Sequence, residues 1–131
     1  MDNVRMLVVD DEQEFLSAVV NRLEHRGYNV HGATDGDQAL DLLQSREVDV
    51  VVMDVKMPGR DGLSLLKEIK ERWPLVEVIM LTGHASVESG IHGMELGAFD
   101  YLMKPAKLDE LLQKVWQAVE RKRLREEGNG R

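Results

Sequence analysis

Aspartates stand at the ends of two apolar runs. Asp54 closes Val50-Val51-Val52-Met53 and precedes Met57-Pro58-Gly59, while Met6-Leu7-Val8-Val9 runs into Asp10-Asp11-Glu12. Short runs of β-branched residues and Met read as parallel strands buried on both faces. A carboxylate has no use inside such a strand. At its carboxyl end the chain leaves the sheet, and ligands of open α/β sheets bind there. Three carboxylates in one pocket repel one another and do not all stay ionised without a counter-ion. A hard divalent cation with oxygen ligands, Mg²⁺ above all, supplies that charge and would recruit a phosphate. An aspartate oxygen could then attack phosphorus and form an acyl phosphate. Such a transfer needs positive charge on the equatorial oxygens more than acid–base chemistry. Thr82, after Val78-Ile79-Met80-Leu81, offers a hydroxyl donor for this, and Lys104, after Tyr101-Leu102-Met103, a mobile ammonium. Each residue alone has an ordinary explanation: Asp54 as a helix cap, Thr82 in a turn, Lys104 in solvent. Four strand ends with matching chemistry are much harder to explain by chance.

The elements that must position these residues alternate between strand and helix. Strands are expected over Arg5–Val9, Asn29–Ala33, 48–53, 76–81 and 99–103. Between them, Phe15, Leu16, Val19, Val20 and Leu23 recur at helical spacing, as do Ala39, Leu40 and Leu43, then Leu65, Leu66 and Ile69, then Val87, Ile91 and Met94. A last helix from about residue 107 carries Leu108, Leu111, Leu112, Val115 and Val119 on one face. Gly27 is placed to follow the first helix, and Pro74 stops the third near Trp73. Five such units with short connections imply a flavodoxin-like, doubly wound α/β fold, a five-stranded parallel sheet in the order 2-1-3-4-5 with five helices. Its switch point lies between the first and third strands, the two that end in Asp10-Asp11 and Asp54.

At 131 residues the chain is one domain, expected over residues 1–125, with 126–131 as a tail or the start of a linker. No apolar stretch approaches the ~20 residues of a membrane span. Absence of cysteine excludes disulfides and thiolate chemistry and fits a cytoplasmic setting. A net charge of −7 argues against direct nucleic-acid binding. The basic run Arg121-Lys122-Arg123 with Arg125 reads as a solvated helix end, where cations complement the helix dipole.

In the order and spacing of its motifs the chain resembles the receiver domains of two-component response regulators (CheY-like). The motifs are Val8-Val9-Asp10-Asp11-Glu12, Met53-Asp54-Val55-Lys56-Met57-Pro58-Gly59, Leu81-Thr82-Gly83-His84 and Gly97-Ala98-Phe99-Asp100-Tyr101-Leu102-Met103-Lys104-Pro105. The resemblance covers about residues 4–125. It implies that Asp54 is a phosphoacceptor served by the phosphohistidine of a sensor histidine kinase. It implies Mg²⁺ on Asp11, Asp10, Asp54 and the backbone carbonyl of Lys56. Lys104 and Thr82 would bind phosphoryl oxygens, and Tyr101 would turn inward as Thr82 moves. The Lys104-Pro105 bond would be cis, and Gly83 would be small because it lies beside the phosphoryl group. Lys56 and His84 occupy variable flanking positions that tune loss of the group; His84 is either a polar residue at the rim or a participant in hydrolysis. The resemblance further suggests the receiver part of a transcriptional regulator, with an output domain in a longer chain. A homodimer through the fourth helix, fifth strand and fifth helix is a related possibility.

Such a domain phosphorylates and dephosphorylates itself and is not a turnover enzyme. Its rivals are an Asp-nucleophile phosphatase, which should carry a second aspartate where this chain has Lys56, and a degenerate docking module, against which the complete residue set counts. Gly90 and Gly93 make the fourth helix about 2 kcal/mol weaker than alanines would. They mark either a mobile element or a place of close packing. His25, His31 and His92 show no ligand spacing and read as surface residues. Ser64-Leu65-Leu66-Lys67 and Asp35-Gly36-Asp37 match catalytic and calcium motifs only by chance.

Overall fold

The computed structural model describes residues 3–55, 61–83 and 87–129. Its elements are β1 (Arg5–Val9), α1 (Gln13–His25), β2 (Asn29–Ala33), α2 (Gly36–Ser45), β3 (Val50–Met53), α3 (Gly62–Arg72), β4 (Glu77–Thr82), α4 (Val87–Glu95), β5 (Asp100–Met103) and α5 (Leu108–Asn129). The strands form one parallel sheet in the order β2-β1-β3-β4-β5. Fold and order are those expected. β1 and β2 have the expected bounds, the other three strands differ from them by one or two residues, and α5 continues past residue 125.

Alternation along the central strands explains the continuous apolar runs. Leu7, Val9, Val51, Met53, Val78 and Met80 face one core with Ala39, Leu40 and Leu43 of α2 and Leu65, Leu66 and Ile69 of α3. Met6, Val8, Val50, Val52, Ile79 and Leu81 face the other, with Leu16 and Leu23 of α1 and Leu111, Leu112, Val115 and Val119 of α5. Each fully buried Leu, Ile or Val side chain contributes about 1.5–3 kcal/mol relative to exposure, so a strand apolar on both faces is anchored twice. Local signals set the helix ends. Asp35 accepts from the Gln38 amide at 2.8 Å, and Asp61 from that of Leu63 at 3.2 Å. Gly27 and Gly97 adopt φ of 87° and 105° just after α1 and α4.

The basic run near the end of α5 is not simply solvated, which corrects the expectation. Asp49, just before β3, and Glu77, the first residue of β4, lie at the pole opposite Asp54 and are buried, Glu77 completely. Lys122 pairs with Asp49 at 3.2 Å, and Arg121 and Arg125 approach Glu77 at 2.7 and 3.6 Å. Arg5 donates to Asp49 from its backbone and side chain, at 2.8, 3.1 and 3.0 Å. Lys70 donates to the carbonyls of Pro74 and Val76, at 2.9 and 2.8 Å, and lies 3.5 Å from Glu77. A buried carboxylate without such partners would cost several kcal/mol, which is why the cations fold inward. Among the described residues, Arg123 is the member of the basic run that stays an exposed cation with no ion pair to these carboxylates.

Candidate functional site

The sheet register delivers the site. Val9 pairs with Met53, so Asp10 and Asp54 leave neighbouring strands at one level. The Asp10 amide donates to Ala33 and that of Asp54 to Val9, at 3.0 and 3.1 Å, which extends the ladders to the two aspartates. Thr82 pairs with Met103, and the Lys104 amide donates to the Thr82 carbonyl at 2.8 Å. Four strand ends therefore converge.

The Lys104 ammonium sits among the carboxylates. It lies 2.7 Å from Asp10 Oδ2, 3.3 Å from Asp54 Oδ2 and 3.7 Å from Glu12 Oε1. Asp10 Oδ1 also accepts from the Glu12 amide at 2.9 Å. Burial pushes the Asp10 carboxyl up, and Asp54 adds to this, against the lowering by Lys104 and the Glu12 amide; the net direction is upward. For Lys104, burial works against the charge, but Asp10 and Asp54 outweigh it and hold its pKa above the ordinary lysine value.

Carboxylate oxygens of Asp10, Glu12 and Asp54 lie within 4.8 Å of one another. A six-coordinate Mg²⁺ with ligands at ~2.0–2.1 Å spans about 4.2 Å between opposite oxygens, so small inward movements suffice. An all-oxygen donor set with an excess of negative charge fits such an ion. Asp11, half-buried, is not in this group, whereas Glu12 is. The acidic run Asp10-Asp11-Glu12 was the available signal for Glu12, but the direction of each side chain after the strand end is not legible from spacing. Lys56 and His84 lie outside the described residues, as does the Met57-Pro58-Gly59 loop.

Thr82 is buried at the end of β4. Among the described residues, a Cβ on Gly83 would meet only Lys104 side-chain carbons, at 3.8 and 3.9 Å. Tyr101 is half-exposed, with its ring against Gly90, where a Cβ would stand 3.0 Å from Cε1. A Cβ on Gly93 would fall 2.1 Å from Cε of buried Met80. Both glycines thus serve close packing. The Lys104-Pro105 bond is cis. Gly62, which no motif of the sequence marks, packs under the site: its amide donates to Val55 O at 2.9 Å, and a Cβ there would lie 2.3 Å from that oxygen and 2.7 Å from Asp54 O.

A family model described as the response regulator receiver domain matches residues 6–116. The chain belongs to this family. As a receiver it is 41% identical over 118 residues to the transcriptional regulatory protein ZraR of Escherichia coli O157:H7, covering 90% of this chain and 27% of that protein. It is 35% identical over 129 residues to an NtrX-like response regulator of Rickettsia conorii, covering 97% and 27%. Among solved structures, a receiver domain protein from Clostridium thermocellum superposes with a TM-score of 0.87 at 36% identity, covering 92% of this chain and 98% of that one. NtrX from Brucella abortus gives 0.90 at 34% identity, covering 97% and 29%. The receiver spans about a quarter of the length of these curated relatives, at 27%. No helix among its described residues is long and apolar enough to cross a membrane.

Proposed function

We propose that this receiver is a signalling switch that accepts a phosphoryl group on Asp54. The observation that carries the reading is the Lys104 ammonium bridging Asp10 and Asp54 at 2.7 and 3.3 Å, beside the strand end that bears Thr82. An Asp54 carboxylate oxygen attacks phosphorus. The bond from phosphorus to the phosphohistidine nitrogen of a sensor histidine kinase breaks, and the imidazole leaves with its electron pair and takes up a proton. Lys104 and the Thr82 hydroxyl stabilise the transferred oxygens. Asp10, Asp54, an acidic neighbour (Asp11 by resemblance, Glu12 by position) and the Lys56 carbonyl are the proposed ligands of Mg²⁺. When bound, the ion supplies charge to neutralise the phosphoryl oxygens. Water later removes the group, so the domain acts on itself alone.

Tyr101 reports the change through Thr82. Ile91 and Met94 of α4 and Tyr101 and Met103 of β5 are exposed apolar residues, which supports these elements as the partner surface, including for a second receiver. In a longer chain the output would be transcriptional, in the cytoplasm, with no contact of this domain to nucleic acid. The test is incubation with acetyl phosphate, with and without Mg²⁺, followed by intact mass spectrometry of the parent and of Asp54→Asn. A Mg²⁺-dependent adduct in the parent alone is expected. No adduct removes the reading, and turnover of a simple phosphate ester would favour a phosphatase.

A further inference from the structure

The Lys104 ammonium also has an aromatic neighbour. Its Nζ stands 4.1 Å from the centroid of the Phe15 ring. Phe15 lies in the first turn of α1, half-buried against the core that contains Leu16 and Leu111. The β1–α1 segment therefore meets the ammonium with three groups: Asp10 at 2.7 Å, Glu12 at 3.7 Å and the aromatic face. Asp54 closes the fourth side from β3 at 3.3 Å. A lysine side chain has many rotamers and gains conformational entropy by extending into solvent. The ring opposes this. Its negative face attracts the cation on the side the carboxylates leave open, and its apolar bulk replaces water there.

We infer that Phe15 is a positioning residue for Lys104, holding the ammonium over Asp54 so that it meets an arriving phosphoryl group already in place. This rests on the Asp54 reading for its functional meaning, although the restraint on Lys104 is a separate physical claim. An aliphatic residue could fill the same core volume but could not attract the cation. The distinction between π face and bulk makes the role testable.

Two readouts separate the claims, applied to the parent, Phe15→Leu and Phe15→Tyr. In the first, an amine-acylating reagent labels the protein and peptide mass spectrometry follows Lys104. Labelling should rise roughly three- to tenfold in Phe15→Leu and stay near the parent value in Phe15→Tyr. In the second, phosphoryl uptake from acetyl phosphate with Mg²⁺ is followed against donor concentration. Phe15→Leu should lower the plateau rate by a similar factor with the half-saturating donor concentration unchanged, and Phe15→Tyr should restore it. In a Lys104→Gln background, Phe15→Leu should have no further effect on uptake. Equal Lys104 labelling in all three proteins overturns the assignment, as does a Phe15→Leu uptake loss of the same size with and without Lys104. A labelling difference in a parent that takes up no phosphoryl group would support the restraint and overturn the Asp54 reading instead.

Discussion

Gly62→Ala adds one methyl group to a residue with no chemistry of its own, yet it should disable the site. The new Cβ would lie 2.3 Å from Val55 O, 2.7 Å from Asp54 O and 2.7 Å from Val55 Cα, all of them backbone atoms that cannot rotate away. Reaching even a tight contact of 3.0 Å requires Val55 O to retreat by roughly 0.7 Å. Because the Gly62 amide donates to that same oxygen at 2.9 Å, the hydrogen bond strains as the contact is relieved. Overpacking of this kind costs about 1–3 kcal/mol, against which alanine returns at most about 1 kcal/mol in helix propensity. The functional loss should be larger, because the Asp54 carbonyl is itself one of the crowded atoms and the backbone that must shift adjoins Asp54. A displacement near 1 Å costs on the order of 10²-fold in a positioned reaction, so phosphoryl uptake from acetyl phosphate should fall by roughly 10- to 100-fold. Urea unfolding gives the stability change and a mass time course gives the uptake. Gly128→Ala, where a Cβ meets nothing within 4 Å among the described residues, is the control. Uptake within about twofold of the parent, with stability within about 0.5 kcal/mol, would refute the steric argument.

Lys104→Gln removes the internal counter-ion of Asp10 and Asp54; uptake should fall about 10²-fold, while Mg²⁺ should raise the melting temperature of the variant more than that of the parent. Asp49→Asn should cost about 2–3 kcal/mol at neutral pH, since Lys122 loses a buried partner. Burial pushes the Asp49 carboxyl up, but Arg5 and Lys122 bring it below the ordinary 3.8. Its contribution is therefore complete above that value and lost as pH falls through the lower folded value. Urea titrations of parent and variant should converge in acid, and a gap independent of pH would contradict the ion-pair account. Gly93→Ala should destabilise by about 1 kcal/mol, overpacking against buried Met80 exceeding the gain in helix propensity; increased stability in urea would show that Met80 swings clear.

Convergence of Asp10, Asp54, Thr82 and Lys104 was legible because each follows an apolar run, and the order 2-1-3-4-5 places those ends side by side. The two-faced burial of Val50-Val51-Val52 followed from composition for the same reason. What stayed hidden was the partner of each charge. Glu77 falls inside the strand expected over 76–81, where spacing names no partner for a carboxylate, and its cations come from α3 and from α5. Phe15 reads as one more apolar residue of a helix, because nothing in its spacing tells that Lys104 will lie over its ring. Close packing at Gly62, Gly90 and Gly93 depends on interatomic distances that a periodicity does not contain.

The two ends of β3 carry opposite electrostatic arrangements. Asp49 meets Arg5 and Lys122 at one end, while at the other Asp54 and Asp10 share the Lys104 ammonium. They stand ~16 Å apart at ~3.3 Å per residue. At an effective dielectric of ~20, unit charges at that separation interact by about 1 kcal/mol, and salt with a Debye length of ~8 Å reduces this further. Neutralising Asp49 therefore changes the electrostatic energy at Asp54 by less than about 1 kcal/mol. Whatever a substitution at Asp49 does to phosphoryl chemistry beyond that must be carried by the strand and its packing, which makes this residue a clean probe of mechanical coupling along β3.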